Sequence, residues 1–125
     1  MVDYRIELVS VPVADAERSR EFYGDTLGWP VDHDVRVHEG LRFIQVTPPG
    51  SACSIAFGEG ISDMEAGSLR ALQVVVSSAD EAYEDLVSRG VEVTPVEDLA
   101  WGRFVHFADP DGNTWAVQEL PQRSG

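Results

Sequence analysis

Apolar and polar positions divide the chain into short strand-like runs and two helical stripes. Residues 5–13 are rich in Ile, Leu and Val and read as a strand. Asp15 then stands where a helix N-cap belongs, and Phe22, Tyr23 and Leu27 share one helical face. Gly28 suits the end of that helix. Strands are predicted at about 30–37, at Leu41–Val46 and, after the Pro48-Pro49-Gly50 break, at Ala52–Phe57. Residues 59–68 lose the periodicity and read as a linker. Leu69–Val76 is a strand, and Ser78 with Glu81 forms a capping box. Ala82, Leu86 and Val87 supply the stripe of a second helix, ended by Gly90. Strands follow at Val91–Val96, Phe104–Phe107 and Thr114–Leu120, the last two joined by a turn over Asp109–Gly112.

The order is βαβββ, linker, βαβββ. Arg42-Phe43-Ile44-Gln45-Val46 matches Arg103-Phe104-Val105-His106-Phe107, and Val13-Ala14-Asp15 matches Val76-Ser77-Ser78. The fold expected is α+β. Two modules, about 4–58 and 69–120, pair into a curved, cup-like mixed sheet with helices on the outer face, so that the whole chain is one domain.

Composition narrows the chemistry. The net charge is −13, from 22 acidic residues against 9 basic ones, all of them Arg. Without lysine there is no Schiff-base catalysis and no lysine-bearing phosphate loop. The acidic balance disfavours nucleic acid and an anionic membrane surface as partners. Cys53 is the single cysteine, so there is no internal disulfide. The N-terminus does not read as a signal peptide, and no run is long enough to span a membrane, so a cytoplasmic protein is expected.

Three features together resemble the vicinal oxygen chelate superfamily, which contains glyoxalase I, bleomycin-resistance proteins and extradiol dioxygenases. One is Val11-Pro12-Val13-Ala14-Asp15 leading into Glu21-Phe22-Tyr23 and Leu27-Gly28-Trp29. The second is Phe107-Ala108-Asp109-Pro110-Asp111-Gly112-Asn113. The third is the duplicated order of elements. The resemblance implies a cup holding the site and a homodimer in which modules of two chains can share it. Metal-dependent members place His or Glu on the first and last strand of each module. Carried over to this chain, those positions are Leu8, Ala71 and Ala116, with the fourth near Ser54. Leu, Ala, Ala and Ser are a poor donor set, so no metal and no other cofactor is expected.

Strand alternation from those positions selects the residues facing the cup. They are Ser10, Gln73, Gln118, Phe43 with Gln45, and Phe104 with His106; Thr114 shares their phase, and Trp101 is placed at the mouth. Gln73 and Gln118 stand out in apolar strands, where they either bond each other or contact a ligand. Arg42 and Arg103 occupy matching places and are expected to pair with carboxylates. Apolar walls with a few hydrogen-bonding groups suit a neutral or weakly polar organic molecule. The expected function is metal-independent binding of a small aromatic or hydrophobic ligand. The alternative is an enzyme of this superfamily (lyase, isomerase or dioxygenase) using a displaced metal or His106 as acid–base.

Overall fold

The computed structural model describes residues 1–121. Strand β1 (Leu8–Ser10) leads into α1 (Ala16–Arg20), which continues as a π-helical segment (Glu21–Thr26). Strands β2 (Val31–His38), β3 (Leu41–Val46) and β4 (Ser54–Glu59) complete a first sheet of order β1-β4-β3-β2. Strand β5 (Leu72–Val76), α2 (Ala79–Ser88), β6 (Glu97–Leu99), β7 (Gly102–Ala108) and β8 (Thr114–Glu119) build a second sheet of order β5-β8-β7-β6. In both sheets the first strand runs parallel to the last and the other pairings are antiparallel. This is the α+β, twice-βαβββ architecture expected. No helix is long and apolar enough to cross a membrane among the described residues.

Both helices begin as their sequences dictate. Asp15 accepts from the Arg18 amide and Ser78 from the Glu81 amide, each at 3.1 Å. The first helix widens at its end, where the Leu27 amide donates to the Phe22 carbonyl five residues back, at 2.9 Å.

Two strands differ from expectation. β1 covers only the middle of the 5–13 run. Its ladder begins where β4 begins, at Leu8 opposite Ser54, and Tyr4 and Ile6 before it stand 91% and 73% exposed. The second strand of the second module lies at Glu97–Leu99, not Val91–Val96. Pro95 has no amide to donate, so pairing lapses beside it. Thr94 alone bridges to β7: its amide donates to the His106 carbonyl at 3.0 Å, and its Oγ1 accepts from the His106 amide at 2.9 Å.

Alternation sorts the strands into two faces. Ile44, Val46, Ile55 and Phe57 of the first sheet join Val105, Phe107, Trp115 and Val117 of the second in one core with Tyr23, Leu27 and Leu86. The first helix holds these faces together. Tyr23 lies 5.3 Å from the Phe57 ring and 6.0 Å from Trp115, while Phe22 lies 6.3 Å from Phe107. The helix-bearing faces of both sheets therefore share one interior. On the opposite faces the outer strands are exposed, Val75 by 60% and Leu8 by 38%, while Ala56, Phe104 and Ala116 between them are buried.

The turn between β7 and β8 anchors this arrangement. Asp109 Oδ2 accepts from the Tyr23 hydroxyl at 2.7 Å, and the Tyr23 oxygen accepts from Trp115 Nε1 at 3.0 Å. Asn113 is fully buried and bonds Pro12 O and Asp109 Oδ2 through Nδ2, both at 2.8 Å. Its Oδ1 accepts from the Leu69 amide at 3.0 Å. Every polar atom buried in this knot has a partner, as low-dielectric surroundings require.

Candidate binding site

The open face of the second sheet is a small grid set by register. Gln73 on β5 stands beside Ala116 on β8, and Ala116 beside His106 on β7. In the next row Val75, Gln118 and Phe104 stand side by side. Ala116 is the smallest of the six; it and Phe104 are buried, Gln118 and His106 are half-buried, and Gln73 and Val75 are exposed. The Phe104 and His106 rings are almost parallel, 11° apart with centroids at 6.0 Å, because residues two apart on a strand share a face. Beyond His106, the 92–94 segment, Ala108 and Thr114 border an open cavity of about 540 Å³.

The two glutamines bond each other. Gln73 Nε2 donates to Gln118 Oε1 at 2.5 Å, and Gln118 Nε2 donates to the Trp101 carbonyl at 2.8 Å. Trp101 sits at the β6–β7 turn with its side chain largely exposed and its backbone tied to the grid.

The first sheet repeats the pattern. Ser10 on β1 neighbours Ala56 on β4, and Ala56 neighbours Gln45 on β3. Gly58 neighbours Phe43. Gln45 thus takes the place of His106, Phe43 that of Phe104 and Ser10 that of Gln73. The two open faces belong to opposite sides of the shared core, so within one chain each set stands apart from the other.

A family model described as Glyoxalase/Bleomycin resistance protein/Dioxygenase superfamily matches residues 5–117. The chain belongs to that superfamily. The structure of TnmS3, an antibiotic binding protein from Streptomyces sp. CB03234, superposes with a TM-score of 0.86 at 33% identity, covering 97% of this chain and 99% of that one. A glyoxalase/bleomycin resistance protein from the same organism gives a TM-score of 0.79 at 34% identity over 91% and 99% of the two chains. Among sequences, the Bacillus subtilis (strain 168) protein YraH, itself uncharacterized, is 34% identical over 86% of this chain and 92% of its own.

The superfamily's metal ligands find no counterpart in the donor chemistry of this chain. Leu8, Ala71 and Ala116 carry no donor atom. Ser54 is buried, and its hydroxyl lies 2.6 Å from Thr47 Oγ1. Leu8 and Ser54 do stand side by side, but Ala71 and Ala116 do not. Ala71 precedes β5 with a left-handed φ of 57°, its amide bound to Thr114 Oγ1 at 2.7 Å. Register also sharpens the fourth position: Ala56, not Ser54, neighbours Gln45 as Ala116 neighbours His106. The residues at all these positions do not fit a divalent ion.

Sequence reasoning missed three contributors. Ala56 as a floor residue was within reach, because the Gln45–His106 match fixes it once strands are paired. Thr94 was hidden by the expected strand over Val91–Val96. Val75 was passed over because one apolar residue in an apolar strand carries no signal.

Proposed function

We propose that this protein binds a small aromatic or hydrophobic molecule without a metal, in a cup completed by two copies of the chain. The observation that carries the reading is the makeup of the grid: aromatic and amide side chains surround a floor of Ala116 where metal-dependent relatives would need a ligand. An apolar hollow with a few oriented polar groups is the usual form of a site for a neutral organic molecule. The similarity to an antibiotic binding protein over nearly the full chain supports binding as the activity.

The second copy is argued from what one chain leaves open. β1 and β5 each pair on one edge, and Tyr4, Ile6 and Leu8 present an alternating apolar row beside β1. Val75 presents a further apolar group on β5. Free edges and exposed apolar rows mark association surfaces. Joining β1 of one copy to β5 of its partner buries both. It also sets Ser10, Phe43 and Gln45 of one copy across from Gln73, Phe104 and His106 contributed by the other.

The test is elemental analysis of the purified protein followed by a thermal-shift screen of planar aromatics after chelation. The reading expects no stoichiometric metal and a stabilising ligand; at 100 times its dissociation constant such a ligand adds about 2.7 kcal/mol. Stoichiometric Zn, Ni, Mn or Fe needed for binding would overturn it. Turnover of a bound compound that His106→Ala abolishes would replace it with acid–base catalysis.

A further inference from the structure

Chemistry fixes the direction of the Gln73–Gln118–Trp101 chain. The Trp101 carbonyl can only accept, so Gln118 must turn its Nε2 toward it, as the 2.8 Å bond shows. That rotation leaves Gln118 Oε1 facing Gln73. Gln73 must then offer Nε2, at 2.5 Å, and its own Oε1 is the end of the chain. No described residue donates to Gln73 Oε1. An amide that could otherwise turn either way is locked, its acceptor without a partner among the described residues, on the face that Gln73 shares with Ala116 and the near-parallel Phe104 and His106 rings.

We infer that Gln73 is the specificity-determining residue of this site, and that it selects planar aromatic ligands carrying a hydroxyl or N–H donor. Gln118 and the Trp101 carbonyl are positioning groups that hold its orientation. This inference rests on the binding function proposed above. Its physical basis is asymmetric: a polar group left without its partner in a closed site costs more than an ordinary hydrogen bond gains.

Three matched probes test it: 2-naphthol, 2-methoxynaphthalene and naphthalene, titrated by tryptophan fluorescence. In the native protein 2-naphthol should bind at least about tenfold more tightly than its methyl ether, a difference of about 1.4 kcal/mol. Gln73→Leu should bring the two within about twofold, while Gln73→Glu, which keeps an acceptor, should preserve the preference. Gln118→Leu should free the Gln73 amide to turn and improve binding of the methyl ether. Gln73→Leu should still bind naphthalene with native affinity, and a general loss of fold cannot imitate that. Equal affinity of 2-naphthol and its ether in the native protein, or a preference that survives Gln73→Leu, would overturn this inference and leave the binding function standing. Binding of none of the three would overturn both.

Discussion

Tyr23 joins the two sheets by hydrogen bonding as well as by apolar packing. Burial and the neighbouring Asp109 carboxylate push its phenol far above the ordinary tyrosine range, so it remains a proton donor wherever the protein is folded. Tyr23→Phe removes the donor to Asp109 and the acceptor for Trp115 Nε1 together. We expect a loss of about 1–3 kcal/mol, read by urea unfolding. The residue was legible in the sequence as part of a buried helical stripe. Its partner was not, because Asp109 lies 86 positions away and the turn containing it reads only as a turn.

Asp34 makes a pH prediction. Hydrogen bonds from the Arg42 guanidinium hold its carboxyl below the usual aspartate value, with Arg20 adding to the effect. A depressed folded value means stability is present above the unfolded pKa of about 3.9 and is lost as pH falls through the lower folded value. Asp34→Asn should therefore lower the melting temperature at pH 7 and flatten its fall in acid. An unchanged acid limb in that variant would show that the pair contributes nothing. The expectation that Arg42 pairs with carboxylates came from its setting in an acidic chain; which carboxylates it meets needed the fold.

At the scale of elements the repeat extends into the ion pairs. Arg42 bridges Asp34 on β2 and Glu17 in the first turn of α1; Arg103 bridges Asp98 on β6 and Asp80 in the first turn of α2. Each arginine ties a sheet to the start of its own helix. The acids lie where a helix N-terminus favours negative charge. Exposed ion pairs of this kind contribute modestly, so the stronger constraint on these hairpins is steric. A Cβ at Gly58 would lie 1.9 Å from the Arg42 carbonyl oxygen, and its φ of 151° disfavours any other residue. Gly58→Ala should cost several kcal/mol or prevent folding, measured by circular dichroism and thermal melting.

Element positions were read well where caps and turns punctuate the chain. Leu41–Val46 and the two N-caps follow directly from local sequence. The failures have local causes too: Pro95 interrupts a strand that its apolar neighbours suggested, and β1 starts late in its apolar run because β4 begins only opposite Leu8. The open-face residues were legible from period-two alternation. The link between Gln73 and Gln118 was legible only as one of two options, since alternation gives a face and not a partner.

On the scale of the whole molecule, the helix-bearing faces share one interior and the faces proposed to bind ligand lie away from it. In the proposed reading the net charge of −13 lies outside the site, whose middle positions are Ala116, Ala56 and amides. Ile6→Asp tests the proposed pairing of chains. Ile6 is exposed in one chain, so the variant should fold while sedimentation shows half the native mass and ligand binding is lost. A monomeric variant that binds normally would confine the site to one sheet. Sequence periodicity carries no information on how the two sheets pack; that lies in the contacts of Tyr23 and Phe22 with both sheets.

Binding without metal is tested by calorimetric titration of 2-naphthol. Protein dialysed against EDTA and protein reloaded with Zn, Ni or Mn would be compared at one concentration. One molecule should bind per chain, saturably, with the same affinity in every sample and the ligand recovered unchanged. Binding that appears only in a metal-loaded sample, or conversion of the ligand, would contradict it.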